Sequence, residues 1–315
     1  IKVVECFFDL PLDYSDPSGE KIRVFTRNLI PKNKAKTKKE EKDLPYRELS
    51  YFLLLVKRTG FEVDLMGSSG YAGQIHEQGY QILWLDPRDT GLSTLISADT
   101  LPARLKSEQD MANYFKHFQA DNIVKDCESI CQIKIGDKPE EDRKWTIMGQ
   151  SFGGFCAIAY LSFHSEGLKE VFITGGLAPL GDSPDPNYER TVRKVISWNK
   201  IYYNKYPKDV RDIAAYLEAN TAVLPSGGHL TVCRFQRLGI DFGMDGGIDR
   251  VHQLVFHAEN DLELFGKLSY KGLQNIERSQ SFDGNPIYTV LHETLYCQGY
   301  VVSCQQNPYS DGFLC

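Results

Sequence analysis

The sequence has no long hydrophobic run. Even its most apolar runs, such as residues 51–56, fall far short of the roughly 20 residues that cross a bilayer as a helix, which excludes an α-helical span. Internal repeats are absent as well. The one biased segment is a lysine-rich run over 31–43. Acidic residues interrupt it and no aromatics interleave, so it reads as a solvated loop and not as a nucleic-acid patch. Basic residues are in deficit: Lys+Arg number 36 against 42 Asp+Glu, for a net charge of −6. That balance argues against nucleic acid or an anionic membrane as a partner. No secretory signal pattern stands at the N-terminus. The chain opens on Ile1 instead of Met, so its natural start is expected upstream. Eight cysteines are present, yet none forms Cys-x-x-Cys. Cys127 and Cys131 are four apart on a predicted helix and share one face. No second pair completes a zinc site, so the expectation is free thiols in a cytoplasmic protein with no metal and no cofactor.

What is present suits a large core. At 315 residues, 42% hydrophobic and 25% charged, the chain can bury one large α/β domain, or such a domain with a lid. Residues 3–10 and 21–29 read as strands around a turn at Asp16-Pro17-Ser18-Gly19. Residues 51–56 and 80–85 are apolar on both faces, as in a buried parallel sheet. Residues 107–135 carry a helical period, and strands follow at 145–148 and 170–174. Strand and helix alternate, which predicts a parallel sheet covered on both faces. After residue 178 the pattern becomes helical, at 188–206, 209–219 and 249–256. The expected division is a sheet domain over 1–179 and a mostly helical lid with a divergent tail over 180–315.

One stretch organises the rest. The strand ending at Gly149 is followed by Gly149-Gln150-Ser151-Phe152-Gly153 and then by a helix-compatible run over 152–163. Gly-x-Ser-x-Gly between a strand and a helix is a nucleophile elbow. The strand must turn into a helix within about one residue, which strains the serine backbone. The flanking glycines remove the Cβ atoms that would clash. Ser151 is then the predicted nucleophile, and the N–H of Phe152 one donor to an oxyanion.

These residues resemble the prolyl iminopeptidase family of α/β-hydrolases, in its longer fungal and bacterial branch, over nearly the whole chain. Gly149-Gln150-Ser151-Phe152-Gly153-Gly154 matches the family's elbow. Asp86-x-Arg88-x-x-Gly91-x-Ser93 resembles its Asp-x-Arg-Gly-x-Gly-x-Ser motif. Gly175-Gly176-Leu177-Ala178-Pro179 matches the strand end before its lid, and Leu291-His292-Glu293-x-x-Tyr296-Cys297-Gln298-Gly299 resembles a lid motif. The resemblance implies an α/β-hydrolase fold with an inserted helical lid. It implies a serine aminopeptidase that releases N-terminal proline from a peptide or amino-acid amide through an acyl-enzyme. By the same resemblance Glu293 holds the substrate amine, since a buried cation needs a carboxylate partner.

The sequence departs from that family in three places. The family's Gly-Gly-Pro-Gly oxyanion loop aligns with residues 56–62, where only Gly60-Phe61-Glu62 fits, leaving Gly60 as the substrate-site residue. Asp89 stands where the Asp-x-Arg motif has glycine, and Pro87 precedes the arginine, so strain is expected there. Against the family the chain also reads as C-terminally truncated, with the last strands of the sheet missing. The triad order is Ser, then Asp or Glu, then His. None of His164, His229, His252, His257 and His292 follows a strand-then-Asp pattern, so the triad Asp and His stay unassigned. Two alternatives are a truncated, catalytically inactive relative and an esterase or lipase; Glu293 argues against the latter.

Overall fold

Two ten-residue strands, β1 (Lys2–Pro11) and β2 (Lys21–Ile30), pair antiparallel from Lys2 opposite Ile30 to Pro11 opposite Lys21. The register sets Glu5 against Arg27 and Asp9 against Arg23, and both pairs close, at 3.0 and 3.3 Å. Such cross-strand charges contribute about 0.2–1 kcal/mol each, so they favour the register more than they stabilise the fold. The computed structural model describes residues 2–30, 53–55, 71–77, 80–179, 181, 183–206, 209–280 and 282–297. The lysine-rich run, Gly60 and the divergent tail from residue 300 lie outside these residues.

The sheet has six strands in the order β1-β2-β4-β3-β5-β6. The remaining strands are β3 (Leu53–Leu55), β4 (Ile82–Asp86), β5 (Trp145–Gln150) and β6 (Leu168–Thr174). β2 runs antiparallel to β4, and β4, β3, β5 and β6 run parallel. Every residue of β4 is buried, as an apolar run inside a parallel sheet demands. Its side chains divide between two cores. Leu83 and Leu85 join one, while Ile82 and Trp84 join Leu29 and Ala72 in the other. The larger core takes α3 (Ala120–Ile135) and α4 (Phe152–Phe163), through Ile123, Cys127 and Ile130 on one helix and Cys156, Ala157 and Tyr160 on the other. α1 (Tyr71–Glu77) supplies Ala72 to the smaller core.

The helical period over 107–135 resolves into two helices. Ser107 and Asp110 form a capping box that starts α2 (Glu108–Phe115). A 3₁₀ turn over Lys116–Phe118 follows, and Gln119 is extended before α3 begins. No glycine or proline marks this break. Its cause is distant in sequence: the carbonyl of His117 accepts a 2.7 Å hydrogen bond from Arg88 and is diverted from the helical ladder.

The chain divides into two compact units, Ile1–Pro179 with Gly284–Leu295, and Leu180–Asp283 with Tyr296–Cys315. The second holds α5 (Asp185–Lys205), α6 (Asp209–Ala219), α7 (Val232–Gln236), α8 (Gly247–Phe265) and α9 (Tyr270–Arg278) around Tyr202, Ile213, Phe242, Val251 and Val255. α8 outruns the expected 249–256 because left-handed glycines, Gly246 and Gly266, bound it at both ends. The segment expected to belong to the lid at 284–295 instead packs with the sheet unit. There α10 (Pro286–Leu291) buries Ile287 in the larger sheet core, with Leu291 packed against it one turn on. No helix among the described residues is long and apolar enough to cross a membrane.

Candidate active site

β5 ends and α4 begins on either side of Ser151. Its backbone has φ 59° and ψ −122°, a region that non-glycine residues rarely occupy. Three glycines make this turn possible. A Cβ on Gly149 would lie 2.2 Å from the carbonyl oxygen of Gly153. One on Gly154 would lie 2.0 Å from the carbonyl oxygen of Gly175, and one on Gly176 would lie 1.6 Å from that of Ser151. The last two contacts come from the loop after β6. Thus Gly175-Gly176, expected to end that strand, packs directly on the elbow, with both φ angles at 87°. The serine carbonyl is held in turn by the N–H groups of Gly154 at 2.9 Å and Phe155 at 3.4 Å.

This backbone leaves Ser151 exposed at the carboxyl end of a parallel strand. β3 and β5 are adjacent, with Leu55 opposite Gly149, while β4 lies on the other side of β3. The chain therefore reverses its direction of sheet growth beside the elbow, where open α/β sheets bind ligands. Phe152 opens α4, and the first N–H groups of a helix have no intrahelical acceptor. They and the positive helix end favour an oxyanion at this point. Gly60, the second expected contributor, lies outside the described residues.

The histidines do not complete the site within those residues. Ser151 Oγ makes no hydrogen bond to any described residue. His164 caps the far end of α4, donating its N–H to Tyr160 at 2.8 Å. His252 stacks on Tyr206 in the helical unit, with ring centroids 3.4 Å apart. His292 packs against Tyr288 at 4.6 Å. Burial holds its pKa below the ordinary histidine value, with the neighbouring Glu293 charge opposing that shift. Glu293 is half-buried at the start of a 3₁₀ turn, in the same compact unit as Ser151.

Three of the cysteines are core residues. Cys127, Cys131 and Cys156 are buried free thiols in the larger core. Burial pushes all three thiols up, Cys131 to about 12, and this removes the thiolate that nucleophilic or redox work requires. No cluster of three or more His, Cys, Asp or Glu residues suited to a metal ion occurs among the described residues.

The Asp-x-Arg motif is a knot beneath the loop after β4. Arg88 is fully buried and makes five hydrogen bonds. Two, at 2.6 and 2.7 Å, reach the carboxylate of Asp126 on α3. The others reach the carbonyls of Leu12 and His117, both at 2.7 Å, and of Pro11 at 2.8 Å. Tyr14 completes the cluster by donating to Asp126 at 2.8 Å. Asp126 was missed in the sequence because no local pattern marks a helix carboxylate as an arginine partner. Gly91 is required at φ 52°, since a Cβ there would meet Asp86 Oδ2 at 2.2 Å.

Asp89 shows why glycine suits its position: φ is 62°. Asp is among the few side chains that tolerate that region. Its Oδ1 accepts the Ile96 N–H at 2.6 Å, while Oδ2 is buried with no partner among the described residues. Burial pushes this carboxyl up to about 7, against the pull of the Ile96 amide. The native pKa exceeds the unfolded one. The unfolded chain therefore binds fewer protons between about pH 4 and 7, and stability falls as pH rises through that window. Asp89→Asn keeps the acceptor and the left-handed tolerance but removes the charge. We expect it to stabilise the chain by about 1–3 kcal/mol at pH 7.5 and by almost nothing at pH 4.5 in urea titrations.

A glycine-framed serine between a strand and a helix, at the switch point of a mixed sheet, defines an α/β-hydrolase type of architecture. No protein-family model matches the chain. Proline iminopeptidase aneH of Aspergillus aculeatus is 38% identical over 295 residues, 93% of this chain and 63% of that protein. A proline iminopeptidase of Aeromonas sobria is 35% identical over 297 residues, 93% of this chain and 65% of that protein. The chain is homologous to the proline iminopeptidases, and spans just under two thirds of the length of these curated relatives. Among solved structures, the α/β-hydrolase GrgF from Penicillium sp. sh18 is similar over 95% of this chain and 87% of its own, at 14% identity and a TM-score of 0.36. A thioesterase domain from the curacin biosynthetic pathway is similar over 66% and 63% respectively, at 11% identity and a TM-score of 0.34.

Proposed function

We propose that the chain carries the nucleophile and amine anchor of a prolyl aminopeptidase-type serine hydrolase. The observation that carries this reading is the strained, exposed Ser151 at the head of α4, in a chain homologous to proline iminopeptidases. Ser151 Oγ attacks the carbonyl carbon of the N-terminal residue as its proton passes to a base. The Phe152 N–H donates to the developing oxyanion. Glu293 pairs with the protonated amine and fixes the residue's position. Collapse expels the rest of the peptide as an amine, which takes a proton, and water then cleaves the acyl-enzyme.

The substrate assignment is tested with prolyl β-naphthylamide and its N-acetyl derivative. The free amine is expected to be cleaved, and the acetylated compound to react at least about 100-fold more slowly. Glu293→Gln should raise KM for the free amine by about tenfold or more, with a smaller change in kcat, because a charge-assisted contact is worth about 1.5–3 kcal/mol. Equal rates on both compounds would replace the aminopeptidase with an esterase or amidase of other specificity.

A second reading is favoured by one observation: Ser151 Oγ has no hydrogen-bonded base among the described residues. On that reading the elbow is retained as architecture, and the chain binds without turnover.

A further inference from the structure

The helical unit contains a cavity of about 650 Å³. Every described residue that lines it lies between Val195 and Phe282 and belongs to that unit, whereas Ser151 belongs to the other. Its volume lies inside the range of small-molecule sites, roughly 300–1,000 Å³. The walls are mostly apolar and aromatic, with Asn199, Asn204, Gln236, Ser279 and Gln280 interspersed. Tyr202 and Phe242 stack at 4.9 Å and 23°, with Phe235, Val251 and Val255 beside them.

The charges are one-sided. Among the described residues no aspartate or glutamate lines the cavity, although the chain carries 42 acidic residues against 36 basic ones. Two cations do line it, Lys200 and Arg237. Arg237 reaches Asp283 at 3.3 Å, but that carboxylate is also bound by Arg234. Lys200 is exposed and makes no ion pair among the described residues. A cationic amine would meet two like charges and no counter-charge here. A dianion such as a phosphate ester would have to desolvate against apolar walls. An apolar chain or ring ending in one carboxylate satisfies both features, with its body among the aromatics and its head at Lys200.

We propose that this cavity binds an apolar monocarboxylate, such as a medium-chain fatty acid or an aromatic acid. The proposal is independent of the activity assigned to Ser151.

The test is calorimetric titration of the chain with decanoate, decanol and decylamine, each below its micelle concentration or solubility limit. The expected result is one decanoate per chain, bound at least about tenfold more tightly than decanol or decylamine. Lys200→Glu places the reversed charge on an exposed position, where folding is not at risk. It should weaken decanoate by about tenfold while leaving decanol unchanged. Val195→Trp, checked for native circular dichroism, should narrow the cavity and weaken binding of all three. Equal binding of decanoate and decanol, several molecules per chain, no binding at all, or an undiminished affinity in Lys200→Glu would each overturn the proposal.

Discussion

Replacing Arg88 with alanine is expected to destabilise the sheet unit by about 3–5 kcal/mol, a large share of a typical domain's total. The side chain is buried on every side, and its partner Asp126 is 1% exposed. Removal leaves a carboxylate inside the core with only Tyr14 beside it, and three carbonyls without their donor. Burial already pushes the Asp126 carboxyl up, and Arg88 is the principal group opposing that. Without the arginine, Asp126 must protonate or draw in water, and either costs stability. Arg88→Lys should recover little, since one ammonium cannot reproduce the fork that grips a carboxylate and three carbonyls. The double variant Arg88→Met, Asp126→Leu should lie well above Arg88→Ala, because no charge remains to be stranded. Urea unfolding followed by tryptophan fluorescence measures all three. A loss below 1 kcal/mol for Arg88→Ala would show that the network is not the clamp described here.

If Ser151 is the nucleophile of the proposed aminopeptidase, Ser151→Ala is expected to lower turnover by a factor on the order of 10⁴ or more. The informative partner is Ser151→Gly. Both variants remove the hydroxyl, but only glycine adopts φ 59° without strain. Ser151→Gly should therefore be more stable than Ser151→Ala by about 1 kcal/mol or more, while equally inactive. A backbone cost at this exposed serine supports the proposed role in chemistry. Equal stability of the two variants would show that the elbow stores no strain.

Much of this was legible in the sequence because its causes are local. The Gly-x-Ser-x-Gly spacing places the elbow, and α4 spans the same Phe152–Phe163 that the helical pattern marks. The strands of the sheet were legible for the same reason, as apolar or alternating runs between turn residues. The rest depends on contacts across the chain. The break between α2 and α3 follows from an arginine 29 residues away and from no glycine or proline. The placement of 284–295 turns on Ile287 and Leu291, a single helical turn too short to announce which core it joins. The packing of Gly176 on Ser151 is likewise invisible until β5 and β6 are paired. The resemblance to proline iminopeptidases was carried by motifs whose spacing is fixed by such packing, and the homology at 35–38% identity agrees with it.

An activated Ser151 would react covalently with an electrophilic phosphorus centre. The most direct test treats the folded 315-residue chain with a fluorophosphonate and maps the adduct by peptide mass spectrometry. The account predicts one modified residue, Ser151, with no adduct in Ser151→Ala. A folded chain that leaves Ser151 unmodified, or that carries the label elsewhere, would contradict it and give the lead to an elbow without chemistry.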